Sequence, residues 1–428
     1  MNTVINPAKQ INGTITVPGD KSISHRSVML GAISKGTTHV SGFLTGEDCL
    51  STIGCFKELG INIEIDGTNV TVYGKGIHGL SSPTKTLDVG NSGTTLRLMS
   101  GLLAAQPFSS RITGDSSIQK RPMGRVAAPL EMMGGKISSE GEKLTAPLFI
   151  EGNRLHSIEY TLPVASAQVK SALILAGLYA DGVTKITEPE QTRDHTEIML
   201  NYLGADITKD GNTITVNPVN ELTARDIQVP GDISSAAYFI AAALICPNSH
   251  VIIKNVGVNP TRTGIITAFR NMGGNIELLN ERTVCGEAVA DISAKTSNLH
   301  GTVINGDIIP KLIDEIPVIA AVACYADGTT TIADAQELKV KESDRISTMV
   351  TELSRMGADI TSTDDGMIIN GTGKLNGAVC ESYNDHRVAM SLSIAALGAD
   401  GQTEIKNSEC ASISFPEYYD LLKSLTER

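Results

Sequence analysis

VPGDKSISHR (17–26) and VPGDISSAAYFIAAA (229–243) open on the same four residues and then diverge. The first copy is followed by Lys21, His25 and Arg26, the second by small and apolar residues without a base. In each, a Pro that fixes φ and a Gly that accepts unusual dihedrals precede an Asp, a composition suited to a crossover. A turn repeated half a chain apart points to a duplication in which only one half presents the charges.

The flanking sequence supports this. SAQVKSALILAGLYADGVTKI (166–186), ISSAAYFIAAALICPNSHVII (233–253), DEIPVIAAVACYADGTTTI (314–332) and NDHRVAMSLSIAALGADGQTEI (384–405) share one plan. Each predicts a helix apolar nearly all round, a small-residue turn, then a Thr/Val/Ile strand. KSISHRSVMLGAISKGTTHV (21–40) and NSGTTLRLMSGLLAAQPFSSRI (91–112) make six copies. A helix with no polar face must be buried on every side.

A second pattern alternates with the first. CFKELGINIEIDGTNVTV (55–72), LEMMGGKISSEGEKLTA (130–146), MLNYLGADITKDGNTITV (199–216), FRNMGGNIELLNERTV (269–284) and LSRMGADITSTDDGMII (353–369) each end a helix near Leu/Met-Gly and run into a β-hairpin. The repeating unit is helix–strand–helix–hairpin at roughly 70-residue spacing, longer than a solenoid repeat. The sixth unit stops after its helix, PEYYDLLKSLTER (416–428), and TVINPAKQINGTITV (3–17) is the spare hairpin expected to complete it. The expected division is therefore one discontinuous domain, 1–18 plus 231–428, and one continuous domain, 21–229. Hinge crossovers fall near 17–20 and 229–232. The fold class is α/β: two similar domains, each of three βαβαββ-type units with buried helices and outer mixed sheets.

Bulk properties exclude several functions. The net charge of −12 argues against nucleic acid or an anionic membrane as partner. With no Trp and 4% aromatic residues, base or sugar stacking has little to work with. The seven cysteines are scattered and never form CxxC, which suits reduced thiols in a cytoplasm and neither a disulfide framework nor a zinc site. The Ala-rich runs are too short to span a bilayer. GKGIHG (74–79) matches a dinucleotide-binding pattern, but LSSPT follows where a helix should start. The histidines lack ligand spacing, so no metal is expected, and His195 in TRDHTE reads as structural.

Lys21, Arg26, Arg121, Lys341, Arg345 and Arg387 fall at or near predicted helix starts, where unpaired N–H groups already favour anions. Each alone reads as a solvated or paired end charge. Six together in an acidic chain predict a cleft for a polyanionic small molecule gripped by Arg forks. Asp314 and Glu342 lie in the same segments. Asp314 as an N-cap and Glu342 as a capping partner are the plain alternatives.

PGDKSISHR, GNSGTTLR, KRPM, SAQVKSAL, KESDR and NDHR, in this order and across nearly the whole chain, resemble the signatures of the 5-enolpyruvylshikimate-3-phosphate synthase family, its class II subgroup in particular. The resemblance implies two domains of three repeated units joined by a two-stranded hinge. It also implies transfer of enolpyruvyl from phosphoenolpyruvate to the 5-hydroxyl of shikimate 3-phosphate in the shikimate pathway, without metal or cofactor, in a family that glyphosate targets by mimicking phosphoenolpyruvate; a monomer is the default expectation. On this resemblance Lys21, Gly93, Arg121, Gln168, Arg345 and Arg387 hold phosphoenolpyruvate. Lys21, Ser22, Arg26, Ser166, Gln168, Arg193, Asp314 and Lys341 hold shikimate 3-phosphate. Asp314 is the base, and Glu342 or Lys21 protonates C3. Ile413 in ASISFP stands where many members carry Lys. A sister family uses UDP-N-acetylglucosamine and carries a Cys five residues before its Arg-Pro pair, where this chain has Ser116. A non-catalytic protein that binds phosphorylated metabolites is the alternative of another class.

Overall fold

The computed structural model of the chain describes residues 1–141 and 143–426. Glu142, in the turn of the second predicted hairpin, and Glu427 and Arg428, closing the last predicted helix, lie outside the described residues. The chain divides into two compact units: Met1–Pro18 with Pro230–Arg282 and Ala288–Arg428, and Gly19–Val229 with Thr283–Glu287. They are called here the terminal and the middle unit, and each has a hydrophobic core of its own.

In the middle unit, the inner helices α1 (Lys21–Ile33), α3 (Gly93–Ala104) and α5 (Ala167–Gly177) alternate with outer helices α2 (Glu47–Glu58), α4 (Gly124–Met132) and α6 (His195–Tyr202). From Ser22 to Ile33 every residue of α1 is buried, as its unbroken small and apolar run requires. The terminal unit repeats the plan with inner helices α7 (Ile233–Ile245), α9 (Ile316–Ala323) and α11 (His386–Leu397) and outer helices α8 (Gly264–Asn271), α10 (Arg345–Arg355) and α12 (Tyr418–Thr426).

Each repeat also carries a sheet. In the middle unit, 159–161 pairs parallel with 184–187, which pairs antiparallel with one strand of the hairpin 207–216. The same mixed order holds for 87–88, 109–113, 148–151 and 136–139. Five hairpins follow outer helices, as the alternating pattern predicts. The five preceding helices end beside Gly60, Gly134, Gly204, Gly273 and Gly357, all at positive φ, the left-handed cap that only glycine adopts cheaply.

The N-terminus corrects one expectation: residues 3–17 do not form a hairpin. Thr3–Ile5 pairs antiparallel with Thr403–Lys406 and so joins the sixth repeat. Asn12–Thr16 pairs instead, in parallel, with residues 250–254 of the fourth. The INPAKQ connection has no tight-turn pair, and Ile5, Ile11 and Ile15 are all buried in the core of the terminal unit.

The repeated VPGD turn is a helix start. Asp20 caps α1 by accepting from Ile23 N at 2.8 Å, and Asp232 caps α7 by accepting from Ser234 N at 2.9 Å. Close approach, not dihedral freedom, selects its glycine. A Cβ on Gly19 would lie 1.9 Å from the Gly42 carbonyl oxygen, and one on Gly231 2.8 Å from a Val17 methyl. GKGIHG ends a strand and turns at Gly76 without entering a helix.

Candidate active site

The middle unit gathers its candidates at the starts of its inner helices. Lys21 is the first residue of α1, and its Nζ lies 3.0 Å from Asp48 Oδ2 on α2. Ser22 follows, and its hydroxyl accepts from Arg193 Nη1 at 3.1 Å. Ser166 caps α5, accepting from Val169 N. Gln168 Nε2 donates to Thr94 Oγ1 of α3 at 2.8 Å, while Gln168 Oε1 is buried with no hydrogen-bond partner among the described residues. Gly93 is the first residue of α3; a Cβ there would stand 2.9 Å from Arg121 Nη1. Arg121 itself donates to Asn91 Oδ1 and Ser117 Oγ.

Arg26 departs from the expected pattern. It lies in the second turn of α1, because the helix begins five residues earlier, and it is 2% exposed. Its Nε donates to Thr196 Oγ1 at 2.7 Å, Nη1 to Ser22 O at 3.0 Å and Nη2 to Ser171 Oγ at 2.9 Å. Burial, and next Arg193, bring its pKa down to about 10. His25 beside it is fully buried with Nδ1 2.7 Å from Thr52 Oγ1, and burial lowers its pKa to about 3 although Asp48 opposes.

The terminal unit gathers the rest. Asp314 lies in a short 3-10 turn (313–315) ahead of α9, whose N-cap position is taken by Glu315. Its Oδ1 accepts from Lys341 Nζ at 3.1 Å and lies 3.5 Å from Arg345 Nη1. Glu342 is not a capping partner either: Asp344 caps α10, and Glu342 Oε2 accepts from Arg345 Nη2 at 2.6 Å. Both carboxylates face cations.

Arg345 and Arg387 are themselves held from below. Asp385, wholly buried, accepts from Arg345 Nε at 2.9 Å and Nη2 at 3.2 Å, and caps α11 through Arg387 N at 2.9 Å. Burial works against the charge of Arg345, but Asp385, Glu342 and Asp314 outweigh it and its pKa rises. Burial likewise opposes Arg387, offset by Tyr238, Asp314, Glu315 and Asp232. Arg387 Nη1 lies 3.5 Å from Glu315 Oε1, which also accepts from Ser234 Oγ. Ile413, where many relatives of the resembled family carry Lys, packs against the core of this unit.

In the terminal unit hydrogen bonds or shared partners link Asp314, Lys341, Glu342, Arg345 and Arg387, and in the middle unit they link Ser22, Arg26 and Arg193, while Lys21 pairs with Asp48, Gln168 with Thr94 and Arg121 with Asn91 and Ser117. Sequence reasoning missed Asp48, Asp385 and Glu315, the anions that hold these cations. Asp385 had a signal in NDHR, an Asp directly before a helix. Asp48 had none, because nothing in α2 alone relates it to Lys21. His195 is buried, its Nδ1 2.7 Å from Glu287 Oε1, and serves as a structural residue. Among the described residues no group of three or more His, Cys, Asp or Glu could hold a metal ion, and no helix is long and apolar enough to cross a membrane.

Comparison with known proteins agrees along the whole chain. A family model described as EPSP synthase (3-phosphoshikimate 1-carboxyvinyltransferase) matches residues 5–422. A 3-phosphoshikimate 1-carboxyvinyltransferase of Thermoanaerobacter sp. (strain X514) is 57% identical over 419 residues, covering 98% of this chain and 99% of that protein. One from Brevibacillus brevis is 56% identical over 423 residues, covering 99% of each. The solved EPSP synthase of Acinetobacter baumannii superposes with a TM-score of 0.90 at 47% identity, covering 99% of this chain and 98% of that one. With the folds and sequences matching from end to end, this chain belongs to the EPSP synthase (3-phosphoshikimate 1-carboxyvinyltransferase) family.

Proposed function

We propose that the chain transfers the enolpyruvyl group of phosphoenolpyruvate to the 5-hydroxyl of shikimate 3-phosphate and releases phosphate. Asp314 accepts the hydroxyl proton as the oxygen bonds to C2, and Glu342 or Lys21 delivers a proton to C3. The tetrahedral intermediate then loses a C3 proton and breaks its C2–phosphate bond. Lys21, Gly93, Arg121, Gln168, Arg345 and Arg387 hold phosphoenolpyruvate. Lys21, Ser22, Arg26, Ser166, Gln168, Arg193, Asp314 and Lys341 hold shikimate 3-phosphate.

One observation carries this reading beyond the family resemblance. A single oxygen of the Asp314 carboxylate anchors two cations, Lys341 and Arg345. A carboxylate held this way is oriented for proton transfer inside an anion-binding set. The buried Gln168 Oε1 supplies an acceptor for a substrate hydroxyl. The test is phosphate release from phosphoenolpyruvate with shikimate 3-phosphate present, absent, or replaced by UDP-N-acetylglucosamine. Release only with shikimate 3-phosphate is expected. Release with the nucleotide sugar would shift the substrate to that of the sister family, and binding without release would leave a binding protein.

A further inference from the structure

Among the described residues of the middle unit Lys170 is the one lysine with no solvent exposure. On α5, two residues after Gln168, its Nζ lies 3.0 Å from Glu188 Oε2 and 2.8 Å from Glu197 Oε1, both carboxylates buried. Taking three ionised groups out of water is costly, and such a cluster adds little net stability over a packed apolar core. Its retention calls for something it orders.

The loop from 188 to 193 shows what that is. Glu188 Oε1 accepts from Thr192 N at 3.2 Å and from Thr192 Oγ1, while Lys170 Nζ donates to Thr192 O at 3.4 Å. Both backbone groups of Thr192 are thereby gripped by the triad. The next residue is Arg193, whose Nη1 reaches Ser22 Oγ. On the other side Lys170 draws α6 to α5 through Glu197. Their neighbours Ser171 and Thr196 then meet with hydroxyl oxygens 2.7 Å apart, and both take N–H groups of Arg26. Arg26, Arg193 and Gln168 thus hang on one buried ion cluster.

We propose that Lys170, Glu188 and Glu197 are positioning residues for shikimate 3-phosphate: the buried triad sets the spacing of α5, α6 and the 188–193 loop, and so the placement of Arg26, Arg193 and Gln168. The proposal rests on the assignment of those three residues to that substrate. Burial pushes the Glu197 carboxyl pKa upward against the pull of Lys170, which accords with a cluster held together by its one cation. The contacts to Arg121, Arg345 and Arg387 do not run through it, and Gln168, the one member of this set assigned also to phosphoenolpyruvate, keeps its bond to Thr94, so phosphoenolpyruvate should be affected far less than shikimate 3-phosphate.

The test uses the full chain with Lys170→Met, which strips the cation, and Glu188→Gln, which keeps the shape and one acceptor oxygen but removes the charge. Melting temperature, the calorimetric Kd for shikimate 3-phosphate, and KM for each substrate are measured. Expected is a rise of about tenfold or more in Kd and KM for shikimate 3-phosphate, larger in Lys170→Met. KM for phosphoenolpyruvate at saturating partner should stay within about twofold. If Lys170→Met does not fold, Glu188→Gln decides alone. Equal losses for both substrates, unchanged affinity in folded variants, or failure of both to fold would assign the triad to stability alone and overturn the proposal. Wild-type turnover checks the substrate separately: no release dependent on shikimate 3-phosphate refutes the functional reading, whatever the variants do.

Discussion

On the proposed mechanism, replacing Asp314 by Asn removes a base while leaving its shape and its hydrogen-bonding oxygen in place. The side chain is 17% exposed and its cation partners Lys341 and Arg345 are 28% and 2% exposed, so losing the charge costs roughly 1–3 kcal/mol of stability, limited because Arg345 keeps Asp385 and Glu342. No helix cap is lost, because no side-chain bond caps the start of α9. Affinity for shikimate 3-phosphate should therefore change little, the amide oxygen still accepting from Lys341. Turnover is another matter. A general base contributes roughly two to four orders of magnitude to kcat, or about 2.7–5.5 kcal/mol in the barrier. Phosphate release gives kcat, calorimetry gives the Kd, and a melting curve checks the fold. An Asn variant with near-normal kcat and an unchanged melting temperature would refute the assignment and move the base to Glu342 or Lys21.

Gly93→Ala places a methyl 2.7 Å from Arg97 Nη1 and 2.9 Å from Arg121 Nη1. Both are tips of flexible side chains, so the fold should tolerate it. KM for phosphoenolpyruvate should rise about ten- to a hundredfold as Arg121 is displaced; an unchanged KM would show that Arg121 does not hold that substrate. Asp385→Ala strands the buried Arg345 guanidinium and uncaps α11. Thermal and denaturant unfolding should show a loss of about 3–5 kcal/mol, and a loss below about 1 would mean that Glu342 and Asp314 suffice. His25 has its pKa depressed from 6.5 to about 3, so the unfolded chain binds its proton first and stability falls as pH drops from 6.5 toward 3. The limiting slope is about 1.4 kcal/mol per pH unit. His25→Gln should flatten the melting-temperature profile across this window, and parallel profiles for the two proteins would contradict the burial of a neutral imidazole.

What the sequence determined by itself was everything with a local period or a local cap. The all-apolar helices, the glycines ending outer helices beside Gly60 and Gly204, the hairpins behind them and the Asp of each VPGD are short-range signals, and they imply the repeated architecture without any tertiary information. The candidate cations were legible because several stand at helix starts. What only the tertiary structure decided was which charge meets which. Arg26 finds Thr196 and Ser171 across 170 and 145 residues, and Arg345 finds Asp385 across 40. Asn12–Thr16 chose the strand 250–257 over a hairpin with its own neighbour. Such pairings arise when buried groups need partners and buried strands need edges. They depend on where the packed helices bring side chains in space, and a one-dimensional pattern carries no record of that distance.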